Sequence, residues 1–437
     1  MVATRARRSG RRVHLLAVAI ALTGVACRSA PPPADTALDA AARRYVELVA
    51  DLTLRDPDSA SGDTAAVAEP NGTPRSPRSF AAIAADARAT YERLEGAPLE
   101  SGSESESDRR DWLLAHLDAV AARASQSGGT ALTFDQELAR LFGVTRPADT
   151  RDRLAPVRAR IDQRLPGRGT TAARLDAFET RVVVPADRLP AVFASALEAC
   201  RVRTAARVSL PPGDAIEVEY VTGRPWSAFS TYLGHARSRI SVNTSFPLTV
   251  DRVLALACHE GYPGHHVLNS ARDARRRNGR PELAALPLFS PESFATEAVA
   301  STAASLVFTD DERLAFERDV LVPLAGLSAG DAARHLEVAR LLDRLAPAIS
   351  GALAAYLAGE RDYVETLWAL QADALMQHPQ ATLGFANQFR GVSLAYTWLA
   401  SGPSGVDEGD AGADAAWRRY EALRAGDYRN RMRKSPL

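Results

Sequence analysis

The 437-residue sequence carries no net charge, a single lysine and only three cysteines. Its 53 cations balance 53 anions, which leaves no excess of cations. A surface that holds a nucleic-acid backbone needs an excess of cations on one face, so nucleic acid is excluded as a partner. The lone lysine is Lys434; every other basic residue is arginine, which alongside the abundant alanine reflects codon composition rather than function. Cys200 and Cys258, the two cysteines beyond Cys27, are too few for a disulfide framework. Both lie in apolar helical patterns and are expected as two buried thiols rather than one bridge. There is no G-x-S-x-G, no Walker loop, no dinucleotide fingerprint between a strand and a helix, and no repeat of fixed period. What is present is an ordinary globular composition, 46% hydrophobic and 24% charged, long enough for a sizeable core.

The first 26 residues read as an export signal. A basic stretch is followed by an apolar run from Val13 to Ala26 and then by Cys27. At 14 residues the run is shorter than the ~20 that a spanning helix needs. Gly24, Val25 and Ala26 before Cys27 resemble a bacterial lipobox, in which the cysteine is acylated; Gly24 departs from the usual leucine. Arg11-Arg12 and the residues after it resemble a twin-arginine signal, with His14 where an aromatic is usual. Cleavage before Cys27 would remove five arginines and no acid, leaving 48 cations against 53 anions. The expected mature protein is mildly acidic, lipid-anchored at Cys27 in the bacterial cell envelope, and reaches the membrane through that anchor.

Residues 27–36 are a Pro-rich tether. Residues 37–205 form an N-terminal region with helical spacing, interrupted at 56–78 by a stretch rich in Ser, Gly, Pro and Asp that predicts a mobile loop. The Ser/Glu run at 100–107 is expected as a solvated loop. Further helices are expected near 133–142, 150–163, 169–181 and 187–205. From residue 206 to 437 the character changes. Stretches 208–221 and 237–246 are β-branched and alternating, which predicts a small antiparallel sheet. Helical patterns return at 249–262, 265–277, 291–308, 311–322, 329–357, 361–376, 386–399 and 411–425. The fold class is mainly α, a multi-helix domain with one small antiparallel sheet just before the motif that carries chemistry.

Three of the eight histidines fall in the stretch His259-Glu260-Gly261-Tyr262-Pro263-Gly264-His265-His266. A His-Glu pair closing an apolar helix is the arrangement of zinc peptidases: imidazole holds the metal, and the carboxylate takes a proton from water. The usual H-E-x-x-H spacing puts both histidines on one helix face, but here position i+4 from His259 is Pro263, which cannot continue the helix. His266 would return to the same face only ~10.5 Å along the axis, out of reach of bonds of ~2.0–2.1 Å. Either Pro263-Gly264 is extruded so that His265 takes the second ligand place, or a larger bulge brings His266 there. A set of capping or core histidines beside a Pro-Gly turn is the competing reading.

Glu297 is a candidate third ligand, because over 293–309 it is the sole ionisable side chain among Phe294, Ala295, Ala298, Val299 and Ala300. A carboxylate on an apolar face is costly to bury unless paired or metal-bound. The alternative is an arginine partner. Glu282 and Glu292, placed at loop edges, are weaker candidates.

The octet closely resembles the H-E-x-x-P-G-H-H signature of the bacterial family catalogued as domain of unknown function 885. Its members look like metal-dependent peptidases of the gluzincin kind and are often lipoproteins. Val242-Asn243-Thr244 is similar to the family's V-N-T strand, which by the resemblance would lie along the substrate as an edge strand, with Asn243 in contact. Thr296-Glu297-Ala298-Val299-Ala300-Ser301 stands where the family has an E-G-W-A-L-Y-like helix, and keeps only the glutamate of its distinctive residues. Arg390-Gly391-Val392-Ser393-Leu394-Ala395-Tyr396 resembles the family's P-G-Q-x-x-x-Y segment. Tyr396 is a candidate oxyanion donor and Arg390 a candidate partner for a substrate carboxylate, with ordinary packing or surface placement as the competing reading of each.

The expected function is that of a zinc-dependent hydrolase acting on peptides. One zinc ion is held by His259, by His265 or His266, and by Glu297, with Glu260 as general base. The alternatives are a catalytically inactive, membrane-tethered binding or scaffold protein, and a metal-dependent hydrolase of a non-peptide amide. His116, His235, His335 and His378 stand alone in the sequence, His378 as a candidate helix cap.

Overall fold

The computed structural model describes residues 36–59, 78–99, 101, 103–147, 151–224, 226–399 and 410–426. The signal segment, Cys27, the tether before Thr36 and most of the 56–78 loop lie outside the described residues. From Thr36 onward the chain forms one compact unit, mainly helical, with one small sheet.

The helices that bear on the site are numbered α1 (Ala37–Arg55), α2 (Phe80–Gly96), α3 (Glu104–Ser127), α4 (Leu189–Ala205), α5 (Val250–Glu260), α6 (His265–Arg277), α7 (Pro291–Ala300), α8 (Ala329–Asp343), α9 (Pro379–Phe389) and α10 (Asp410–Ala425). Their starts follow local chemistry. Thr36, Ser79 and Ser103 each accept a hydrogen bond from a backbone N–H two or three residues into the helix that follows. The cap at Ser103 corrects the expected loop at 100–107. Glu104 and Glu106 fall in the first turn of α3, where the helix dipole favours acids, so residues 104–107 are helical. The single helix expected over 291–308 is two, α7 and Ala303–Val307, and that over 329–357 is also two, α8 and Ala346–Leu357. The second member of the later pair carries a proline in its first turn.

The sheet has strands β1 (Ala215–Val221), β2 (Ala228–Gly234) and β3 (Arg237–Asn243) in the order β1-β3-β2. It is mixed, not antiparallel throughout. The two expected strands, β1 and β3, run parallel with Ala215 opposite Arg237, and β2, unread in the sequence, pairs antiparallel to β3 with Phe229 opposite Ser241. The β2–β3 hairpin turns on His235 and Ala236, whose φ values of 52° and 58° are those of a two-residue primed turn. That turn is normally announced by Asn-Gly, and His-Ala hides it.

One core joins α4, the inner face of the sheet, α5 and α10 through Val192, Phe193, Ile240, Val242, Val253, Leu254 and Tyr420. A second, built by α1, α2 and α3 around Tyr45, Leu48, Leu113 and Leu117, takes in Leu283 and Ala285 from far along the chain. Within the first core Cys200 of α4 and Cys258 of α5 are joined in a disulfide, with Cα atoms 5.5 Å apart and both residues fully buried. The expectation of two thiols is thereby corrected: packing α4 on α5 sets the cysteines face to face at bonding range. Among the described residues no helix is long and apolar enough to cross a membrane.

Candidate metal centre

α5 buries Val250, Val253, Leu254, Ala257 and Cys258 and brings His259 and Glu260 to its last turn. It stops at Gly261, and the chain turns through Tyr262, Pro263 and Gly264 before α6 begins at His265. The Gly264 N–H donates to the Cys258 carbonyl at 3.1 Å, and a Cβ on Gly264 would stand 1.8 Å from the His259 carbonyl oxygen. Only glycine allows the chain to double back this closely.

The reversal settles which histidine joins His259. The Nε2 atoms of His259 and His265 lie 3.1 Å apart, and α7 brings the Glu297 carboxylate to 3.6 Å from the first and 3.3 Å from the second. Four ligands at ~2.0–2.1 Å in tetrahedral array stand ~3.3–3.4 Å from one another. The two Nε2 atoms and the Glu297 carboxylate, which faces His259 with Oε2 and His265 with Oε1, are spaced close to that, as side chains holding one small ion would be. Oε2 of Glu297 is sealed from solvent with no hydrogen-bond partner, which also fits a cation rather than a purely structural carboxylate. The side chains of His259, His265 and Glu297 are 14–16% exposed, leaving one side open to water. Among the described residues this is the one group of three or more such side chains spaced to hold an ion. Burial alone would push the Glu297 carboxyl up, but His265 and His259 outweigh it and hold it well below the usual carboxylate range.

Glu260 is 5% exposed and its environment is of the opposite kind. Burial, and less strongly the charge of Glu297, push its pKa up against the pull of His259, His265 and the Ser230 backbone N–H. A carboxyl whose pKa is raised is better suited than an ordinary one to accept a proton and return it. Ser230 belongs to β2, so the strand that reaches the site is one missed in the sequence. Tyr396 is also here. Its ring stacks on His259 with centroids 6.2 Å apart and packs edge-on against Phe385. Desolvation and the Glu297 and Glu260 carboxylates push its hydroxyl well above the ordinary tyrosine value, keeping it a donor.

Other expected residues go elsewhere. His266 is fully buried with Nδ1 2.7 Å from Ser238 Oγ and Nε2 2.6 Å from Asp214 Oδ1, and so is committed to partners other than His259 and Glu297. Asn243 lies on the central strand, not an edge. Fully buried, it donates to the carbonyls of Arg224 and Trp226 and accepts from the Ser245 N–H, which ties down the β1–β2 connection and leaves nothing for a substrate. Arg390 donates to Glu137 Oε2 at 2.6 Å, and the Gly391 N–H binds the other oxygen; Glu137, fully buried, needs this cation, so Arg390 is not free for a substrate carboxylate. Glu282 and Glu292 are buried rather than at loop edges, paired with Arg109 and Arg272 at 3.0 Å each. His378 occupies the cap position of α9 but its side chain makes no capping bond. Asp214, Ser238, Tyr262 and Tyr420, which surround the reversal, were not singled out from the sequence. Their partners are distant in the chain and no local pattern marks them.

No family profile and no curated protein matches the chain. Two solved structures are similar over most of it. One, from Colwellia psychrerythraea and described as a "putative lipoprotein", is 12% identical with a TM-score of 0.43, covering 89% of this chain and 70% of its own. The other, from Shewanella oneidensis and described as a "putative lipoprotein of unknown function", is 14% identical with a TM-score of 0.40, covering 90% of this chain and 83% of its own.

Proposed function

We propose that this chain is a zinc-dependent hydrolase of the gluzincin kind, resembling the family with domain of unknown function 885, and that its substrates are peptides. The observation that carries the reading is the spacing of His259 Nε2, His265 Nε2 and the Glu297 carboxylate, 3.1 to 3.6 Å between neighbours, beside the buried Glu260. Those three side chains would hold the ion. Zinc at such a site supplies Lewis acidity and a water acidic enough to attack at neutral pH. Glu260 takes the proton of the attacking water and returns it to the leaving amine, a double duty suited to a carboxyl whose pKa is raised. The Tyr396 hydroxyl donates to the oxygen of the scissile carbonyl as negative charge develops there. β2, which touches Glu260 through the Ser230 N–H, lies at the edge of the sheet on the side of the site.

The same reading places the protein outside the cytoplasm, anchored by a lipid on Cys27. The Cys200–Cys258 disulfide supports export, because such bonds persist in oxidising compartments. Metal analysis of the purified wild type and of His259→Ala tests the reading: about one zinc per chain in the first and none in the second is expected, and equal content in both refutes it. A folded protein that binds no metal and cleaves no member of a broad peptide library would instead be a tethered binding protein. Cleavage of non-peptide amides alone would identify the other hydrolase alternative.

A further inference from the structure

His266, adjacent to a candidate ligand yet turned from it, shares one carboxylate with Tyr262. Asp214, in the turn before β1, accepts from the Tyr262 hydroxyl through Oδ2 at 2.8 Å and meets His266 Nε2 with Oδ1 at 2.6 Å. These two partners stand at the two ends of the reversal that separates His259 from His265. The far nitrogen of His266 is held by Ser238 Oγ of β3 at 2.7 Å, and the middle of the reversal is held by Tyr420 of α10, whose hydroxyl donates to the Pro263 carbonyl at 2.8 Å. Ser238, His266 and Asp214 thus form a serine-histidine-aspartate chain. Ser238 is 1% exposed and His266 0%, so no substrate can reach the hydroxyl, and a nucleophilic role for it is excluded.

We infer that Asp214 is a positioning residue for the metal centre: by gripping Tyr262 and His266 together it holds the reversal in the one shape that sets His265 Nε2 beside His259 Nε2. The inference rests on the metal reading above. A straight or loosened connection would leave His265, six residues from His259, on another side of the helix axis. The regular helix ladder is broken here; besides the Gly264 N–H on the Cys258 carbonyl and Tyr420 on the Pro263 carbonyl, it is the Asp214 carboxylate that ties the reversal to the sheet side of the site. Tyr262 and His266 are buried polar groups that need a partner, and a single carboxylate serves both, so the sheet is coupled to the ligand pair.

The test uses the full chain freed of metal with a chelator and titrated with Co²⁺, whose visible absorption reports coordination geometry, and with Zn²⁺ by competition. Asp214→Asn and Tyr262→Phe are expected to bind both ions ~10–100-fold more weakly than wild type and to alter the cobalt spectrum. Leu117→Ala, in the core of α1 to α3, serves as the control: it lowers the thermal midpoint while affinity and spectrum stay those of wild type. A merely structural role for Asp214 would make its variants behave like that control. Unchanged affinity and spectrum in folded Asp214→Asn, or in Tyr262→Phe should the first not fold, overturn the inference. Absence of binding by the wild type itself overturns the metal reading and the clamp with it, and it shows in the first titration, before any variant is compared.

Discussion

His259 and His265 bring their Nε2 atoms to 3.1 Å across six residues of sequence, a closeness that no continuous helix could give them. The contact depends on two helices meeting at a reversal, and on Glu297 arriving from a third.

The two neighbouring histidines should therefore behave differently. His265→Ala is expected to lose the ion outright, whereas His266→Ala, which removes only a support, should still fill to one ion per chain at saturating zinc. Metal analysis after dialysis against graded free zinc distinguishes them. Equal loss in both would mean that His266 is a ligand in solution.

Glu260→Gln keeps the size of the side chain and removes the proton acceptor. Metal content should be unchanged, and peptide hydrolysis should fall by ~10²–10⁴ in kcat. Tyr396→Phe should lower kcat by ~10²–10³ with little change in KM, as for loss of an oxyanion donor. Wild-type turnover in Tyr396→Phe would remove that residue from the mechanism.

Gly264→Ala adds one methyl at a point where its carbon would stand 1.8 Å from the His259 carbonyl oxygen. Backbone must move, and overpacking of this kind costs ~1–3 kcal/mol or more. The expected signature is a lower thermal midpoint together with weakened metal binding, because the methyl wedges apart the two ligand helices. A variant with both properties intact would show that the reversal is looser than the structure has it.

Opening the Cys200–Cys258 bond should be felt at the same place. Cys258 precedes His259, and the bond closes a stretch of 58 residues. Cys200→Ala with Cys258→Ala is expected to cost ~2–4 kcal/mol in denaturant unfolding, as removal of a native bridge usually does. Stability equal to wild type under non-reducing conditions would argue that the two cysteines are thiols after all.

Two buried histidines should give stability opposite dependences on pH. Burial lowers His116 to about 4, so as pH falls from about 6.5 towards about 4 the unfolded chain takes up a proton that the folded one refuses, and stability is lost. Burial also lowers His335, but Asp251, with Oδ1 2.7 Å from its Nε2, outweighs that and raises it above 6.5. Its contribution is full below the unfolded value and disappears as pH rises through the folded one. Thermal midpoints measured across pH should show the acid-side loss shrink in His116→Leu and the alkaline-side loss shrink in His335→Gln. Profiles parallel to wild type would contradict these assignments.

Much of this was legible in the chain before folding. The helices at 189–205 and 265–277 follow from apolar spacing, and the candidate metal helix from an apolar run ending in His259-Glu260. Glu297 stood out because a carboxylate among alanines and a phenylalanine has to be explained by something outside its own helix. β2 was missed because its hairpin turns on His235-Ala236 instead of the usual glycine. Asn243 and Arg390 were read as substrate contacts from their neighbours in sequence, but hydrogen bonds commit the first to the Arg224 and Trp226 carbonyls and the second to the buried Glu137.

By itself, then, the sequence determined which chemistry is possible here: three histidines and a glutamate around a Pro-Gly break, and an acid on an apolar helix. Those are properties of residue type and local spacing, and they do not change with the fold. Which histidine meets His259, that Cys200 meets Cys258, and that Asp214 holds the ends of the reversal were decided only in three dimensions. Each of those contacts joins atoms that backbone geometry sets apart until α4, α5, α6 and the sheet pack on one another.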